Sequence, residues 1–210
     1  MRKRPQQLRS KQMVATLVEA TARCIVEHGL DGATTPRIAE LAGVSVGSLY
    51  QYFDGKEALI EALLDKMADD IATGLSALPI DPAGTLRDMI TNAINFGFAL
   101  LSSGDGLYAE LVRNWHRLPT QKMADTLQQH FLEMARVYFI KHYREHPIEN
   151  LQVRTFIVVN STIFTMVRLI SRDHPMLGQA EVAEGLIDMI TGYLELGSEA
   201  SVAGGDKNTN

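Results

Sequence analysis

Between Thr34 and Lys56 the chain reads TTPRIAELAGVSVGSLYQYFDGK. Two tyrosines (Tyr50 and Tyr52), a lysine at a helix start (Lys56) and a turn glycine (Gly43) share this one stretch. Phosphate accepts hydrogen bonds from hydroxyls and ammonium groups, and it is favoured at helix N-termini by their free N–H groups and dipole. The chemistry on offer is therefore binding to an anionic backbone. The rest of the chain must supply elements that hold these groups on one face.

The local signals give those elements. Thr35-Pro36 predicts a helix start, with Thr35 as N-cap and Pro36 in the first turn, where its missing N–H costs nothing. Helix 2 then carries Ile38, Ala39 and Leu41 and ends near Ala42. Gly43 allows the sharp turn, and Ser45 caps a third helix running to about Phe53. Ala39 and Gly43 are small enough for two helices to cross closely at a steep angle. Ile38, Leu41, Val44, Leu49 and Phe53 form the small core beneath. Val46, Gly47, Ser48, Tyr50 and Tyr52 are left outward, on a helix able to enter a major groove. Asp54 and Glu57 form an Asp-x-x-Glu cap for helix 4, which continues to about Leu75. Helix 1 is predicted from Ser10 to His28, with Val14, Leu17, Val18, Thr21 and Ile25 as its buried stripe and Gly29 closing it.

Charge placement agrees with an anionic partner. The net charge is −5, yet the first 30 residues hold six Lys and Arg against two Glu, leaving −9 for the remainder. A basic end on an acidic body fits local contact with nucleic acid. Residues 1–9, including Arg2, Lys3 and Arg4, read as a basic arm. No apolar segment follows Met1–Ser10, so no secretory leader is predicted. The single cysteine, Cys24, excludes an internal disulfide framework and fits a reducing, cytoplasmic setting as a small buried residue. The uncharged run between Arg154 and Arg168 is shorter than the roughly 20 residues of a spanning helix, so no membrane is expected.

Taken together, the pattern from Thr34 to Lys56, with Leu49-Tyr50-Gln51-Tyr52-Phe53 and Lys56-Glu57-Ala58-Leu59, resembles the DNA-binding domain of TetR-type transcriptional regulators. With helix 1 the resemblance covers about the first quarter of the chain, and beyond that it is architectural only. It implies an all-α fold: an N-terminal three-helix helix-turn-helix domain over residues 1–56, then a larger helical effector-binding and dimerisation domain over 57–196, linked by helix 4. A disordered polar tail is expected over 197–210. The resemblance also implies roles. Thr35 sits where the family caps helix 2 against a phosphate. Tyr50 and Tyr52 meet the DNA backbone, and Lys56 favours phosphate at the start of helix 4. Ser45, Val46, Gly47 and Ser48 face base edges. The tetracycline repressor has a basic residue after its Thr pair; here Pro36 stands there, followed by Arg37 as the candidate cation. Gly47 has no side chain to read a base, so Val46 against a thymine methyl and Ser45 or Ser48 on a base or phosphate are the remaining direct contacts. Part of the specificity is then expected from the arm in a minor groove or from DNA shape.

The C-terminal part reads as long apolar helices. Around Phe156, Ile157, Val158, Val159, Ile163, Phe164, Met166 and Val167 the pattern is apolar on nearly every side, which demands cover on every side. Leu186, Met189, Ile190, Tyr193 and Leu194 make a stripe on the last helix, with Gly185 and Gly192 permitting close approach. A homodimer through Phe156–Ile170 and Val182–Leu196 follows from these features and from the resemblance, and a dimer implies a double-stranded, roughly palindromic operator. A small, mostly hydrophobic effector is expected among Met89, Asn92, Phe96, Tyr108, Trp115, His116, Phe131, Met134 and Asn160, which mix apolar walls with a few polar anchors. No cofactor, metal or catalytic residue is expected. Gly43-Val44-Ser45-Val46-Gly47 spells a nucleophile-elbow string, but that motif needs a preceding strand, and a helix precedes it here. His142 and His146 share a helix face without an evident third ligand. Asn160-Ser161-Thr162 lies mid-helix and is discounted as a glycosylation site. The expected function is a homodimeric, ligand-responsive repressor, not an enzyme. The alternative is a helical interaction or adaptor protein using the helix-turn-helix as a scaffold.

Overall fold

A computed structural model describes residues 4–78, 84–103, 106–142, 150–171 and 177–204. Side chains at 4–7, 134–135, 137–142 and 196–204 lie outside that description, and so do Arg2, Lys3 and His146 entirely. All regular structure among the described residues is helical: α1 (Arg4–Gly32), α2 (Thr35–Leu41), α3 (Val46–Leu49), α4 (Lys56–Ser76), α5 (Leu86–Leu101), α6 (Leu107–Arg113), a 3₁₀ turn (Trp115–Arg117), α7 (Gln121–His142), α8 (Leu151–Ser171) and α9 (Gln179–Gly204). The fold is all-α, with an N-terminal helix-turn-helix and a helical C-terminal part, as the sequence predicts.

Two compact units divide the chain: residues 1–67 with 102–123, and 68–101 with 124–210. The expected boundary lay after residue 56. Instead the first unit takes in the start of α4 and all of α6, because α6 packs on α1. Leu17, Val18, Thr21, Cys24 and Ile25 are buried along α1, joined by Leu30, Ile38, Leu49, Leu59 and Leu63. Leu107, Leu111 and Val112 turn the inner side of α6 to the core. Burial pushes the Cys24 thiol up from its ordinary value, so it stays protonated and serves as a small apolar filler.

In the second unit α5 lies against α9. Leu86, Ile90, Ile94 and Phe98 recur every fourth residue and meet Ala183, Leu186, Ile187, Ile190 and Leu194, with Met166 of α8 beside them. Thr85 and Asp88 begin α5 as a reciprocal cap: Asp88 Oδ2 accepts from the Thr85 N–H (2.8 Å) and hydroxyl (2.7 Å), and Thr85 Oγ1 accepts from the Asp88 N–H (3.2 Å). Arg87 pairs with Asp188 and Glu184 of α9. Gly74 of α4 lies under Phe96, where a Cβ would come within 2.5 Å of the ring. The last helix runs to Gly204, past the end expected at Leu196 and into the expected tail. Its sequence from Gly197 is weakly helix-forming, and polarity alone does not stop a helix once its preceding turns are packed. As a 21-residue helix, α8 is long and apolar enough to cross a membrane by length and composition. The shorter run counted in the sequence stops at two arginines that the helix simply passes through.

Candidate nucleic-acid interface

The helix-turn-helix is built from short-range bonds. The carbonyl of Thr34 accepts from the Ile38 N–H (2.9 Å), so Thr34 is the N-cap of α2 and Thr35 its first residue. This corrects the expectation that Thr35 caps the helix: a Pro in the second helical position leaves the flanking role to the residue before Thr35. Relieved of capping, the Thr35 hydroxyl lies 3.4 Å from the Tyr50 hydroxyl across the crossing of α2 and α3.

The turn closes with two nested bonds, Gly43 N–H to the Glu40 carbonyl (3.0 Å) and Val44 N–H to the Ala39 carbonyl (2.9 Å). That pair is a Schellman ending, which needs a left-handed residue in the position Gly43 holds at φ 70. Nothing lies within 4 Å of where a Gly43 Cβ would be, so the requirement is conformational and not steric. Ser45 then caps α3 by accepting from the Ser48 N–H (3.0 Å). Regular α-helix ends at Leu49, short of the predicted Phe53. The Gln51 and Tyr52 N–H groups bond three residues back, to Ser48 and Leu49, so the remainder is a tighter turn.

Around this frame Ile38 and Leu49 are fully buried, while Val46 (37% exposed), Tyr50 (52%) and Tyr52 (37%) stand outward. Gly47 is exposed beside them, with only Ser45 Oγ (3.8 Å) near its Cβ position. The two serine hydroxyls are mutually bonded at 2.8 Å. One of their two protons is therefore spent between them, and one remains as a donor. Arg37 is exposed but ties one guanidinium nitrogen to the Gly32 carbonyl (2.8 Å). The Lys56 ammonium donates to the Leu30 carbonyl (2.6 Å) and is half-buried. Gly55, whose carbonyl accepts from the Leu59 N–H, flanks α4 in the place expected of Asp54. A grouping of exposed rings, hydroxyls and partly committed cations on one small module can hold a phosphate backbone and set an α-helix against base edges.

Sequence reasoning passed over three residues that brace this module. Glu110 Oε1 accepts from the Leu30 N–H (3.1 Å) and from Asn114 Nδ2 (3.1 Å). Arg117 pairs with Asp31, and this guanidinium holds the Asp31 carboxyl below its usual range. Their one local signal is Gly29, whose φ of 70 and ψ of 169 turn the following N–H out of the helix. A cleft of about 730 Å³ opens beside them, with Leu30, Lys56, Glu57, His116 and Arg117 among its lining.

The effector residues expected from sequence are divided between the units. Tyr108, Trp115 and His116 lie in the first; Met89, Asn92, Phe96, Phe131 and Asn160 lie in the second. Met89 packs on the α5–α9 core, Phe96 on Gly74, and Asn92 and Asn160 are exposed. The Met134 side chain lies outside the described residues.

Residues 17–63 match the family model described as bacterial regulatory proteins, tetR family. The helix-turn-helix transcriptional regulator TtgR of Pseudomonas putida is 35% identical over 85 residues, covering 39% of this chain. The match spans 40% of the length of TtgR. Among solved structures, a tetR-family transcriptional regulator from Streptomyces coelicolor superposes with a TM-score of 0.68 at 19% identity, over 92% of this chain and 85% of that one. RolR, in complex with the ligand resorcinol, gives 0.63 at 18% identity, over 91% of this chain and 96% of that one. At such identities the structures share the fold.

Proposed function

From the match of residues 17–63 to the TetR family we propose that the chain is a TetR-family transcriptional regulator, a homodimeric repressor released from a palindromic operator by a small effector. The observation that carries the DNA part is the exposure of Val46, Tyr50 and Tyr52 around Gly47, on a module whose Ile38 and Leu49 are fully buried. Large side chains left outward on so small a domain want a partner surface. In this reading Val46 meets a thymine methyl, and the remaining serine hydroxyl proton serves a base or phosphate. Thr35, Tyr50 and Tyr52 bond the backbone, as do Arg37 and Lys56 with the donors their internal bonds leave over.

The dimer reading rests on a second exposed face. Val153 (55%), Phe156 (53%), Ile157 (44%) and Phe164 (63%) stand outward on α8, and Met189 on α9. The positions of Gly185 and Gly192 meet nothing within 4 Å of a Cβ, which leaves room for a second copy to approach. Of the stripe read on α9, Leu186, Ile190 and Leu194 face α5, while Met189 points out. The ligand in RolR is resorcinol; a small, mostly hydrophobic effector for this chain is consistent with the half-buried aromatics Phe96 and Phe131 of the second unit. Effector binding would favour one position of α4 over another and so change the spacing of two reading heads.

Selection of bound fragments from genomic DNA, followed by gel shift across a salt series, tests the proposal. The expected result is a palindromic site whose log affinity falls linearly with log salt. Binding without salt dependence favours the adaptor reading instead, and a screen of small hydrophobic compounds on the recovered operator tests the effector.

A further inference from the structure

We infer that Glu110 of α6 is a positioning residue for Lys56, acting through the backbone of Leu30, and this rests on the reading of Lys56 as a phosphate contact. Leu30 is 4% exposed, so its N–H and C=O both need partners inside the protein. The non-helical dihedrals at Gly29 turn that N–H away from α1. Two charged side chains answer: Glu110 Oε1 accepts from the N–H at 3.1 Å, and Lys56 Nζ donates to the C=O at 2.6 Å. A carboxylate on one side of a short backbone segment and an ammonium on the other hold that segment between α6 and the first residue of α4. Charge-assisted bonds are the stronger kind, and each depends on the segment staying where the other puts it.

Glu110 is itself steadied. Asn114 Nδ2 donates to its carboxylate at 3.1 Å and to its backbone carbonyl at 3.0 Å, and Arg113 lies 3.4 Å from its other oxygen. Next along the chain Asp31 pairs with Arg117, so the 3₁₀ turn grips the same segment. A Gly29 Cβ would lie 3.4 Å from Glu110 Oε1, which puts the helix break directly under the carboxylate. An ammonium has three protons, and the Leu30 carbonyl uses one. Two remain for phosphate, directed by a bond that Glu110 indirectly holds in place.

The test is a double-mutant cycle of Glu110→Ala and Lys56→Ala, with Glu110→Gln as the conservative variant, read by operator affinity across a salt series. Lys56→Ala is expected to lower affinity roughly tenfold and to reduce the salt slope by about one. Glu110→Ala, which removes no cation, is expected to reduce the slope similarly, and Glu110→Gln, which retains an acceptor, to restore it. In the Lys56→Ala background Glu110→Ala should add little. Additive effects, or a Glu110→Ala protein with an unchanged slope, overturn the positioning role. An unchanged slope on Lys56→Ala alone overturns the phosphate contact beneath it. A loss of affinity in Glu110→Ala accompanied by loss of helical circular dichroism, with Glu110→Gln no better, also counts against positioning.

Discussion

The two glycines of the helix-turn-helix are alike in exposure and opposite in kind. Gly43 has open space where a Cβ would go, yet its φ of 70 is unfavourable for any other residue. Gly43→Ala is expected to cost about 1–2 kcal/mol by thermal or denaturant melting. Gly47 sits in α3, where an added Cβ would meet only Ser45 Oγ at an ordinary contact distance of 3.8 Å, so the free protein has no need of a glycine there. Gly47→Ala should raise stability slightly, on the order of 0.5 kcal/mol. If α3 lies against DNA, the same methyl meets the groove and weakens operator binding. Higher melting temperature with lower affinity is the expected pair of results, and unchanged affinity would remove Gly47 from the interface. The residue types at these positions were legible in the sequence because turn and cap chemistry is local. The Ser45 cap was legible too, but its hydroxyl bond to Ser48 and the internal bonds of Arg37 and Lys56 were not, since whether a hydroxyl or cation faces inward depends on what folds over it.

Element boundaries follow the same division. The start of α2 and the end of α4 were readable within a residue or two from Pro36, Gly43 and apolar spacing. The placement of α6 with the first unit was not, because the bond from Leu30 to Glu110 joins residues 80 apart and leaves no periodic trace. The α5 cap gives a prediction at this scale. Hydrogen bonds from Thr85 hold the Asp88 carboxyl below its ordinary value. A carboxyl depressed in the folded state contributes stability above its unfolded pKa, and that contribution is lost as pH falls through the folded value. Asp31, depressed by Arg117, follows the same rule. The wild type should therefore lose melting temperature on acidification below the ordinary carboxylate range. Asp88→Asn should be less stable at neutral pH and lose less on acidification. Parallel pH profiles for the two proteins would mean the cap contributes nothing.

For the whole molecule the open question is what covers the outer face of α8 and α9. Arg154 bonds the Tyr193 carbonyl and lies 4.8 Å over the Tyr193 ring, so α8 is fastened to α9 within the chain. Away from the buried Thr155, Val159 and Met166, α8 carries Val153, Phe156, Ile157 and Phe164 toward solvent. A contiguous apolar surface of this kind is normally an interface. In the proposed reading a second copy is the occupant, because its geometry would also serve DNA: a two-fold axis turns one reading head into two on one operator. Linking the heads makes the second contact intramolecular and raises apparent affinity by roughly 10²–10⁴ over one head alone. Phe164→Asp places a charge where burial would be needed but changes nothing inside the chain, because Phe164 is the most exposed of the four. The expected protein is helical and monomeric by light scattering, with operator affinity lower by that factor and affinity for an isolated half-site unchanged. A Phe164→Asp protein that stays dimeric would move the interface elsewhere. One that becomes monomeric yet binds the full operator undiminished would show that a single head reads DNA alone, and the palindrome would then have no basis in this fold.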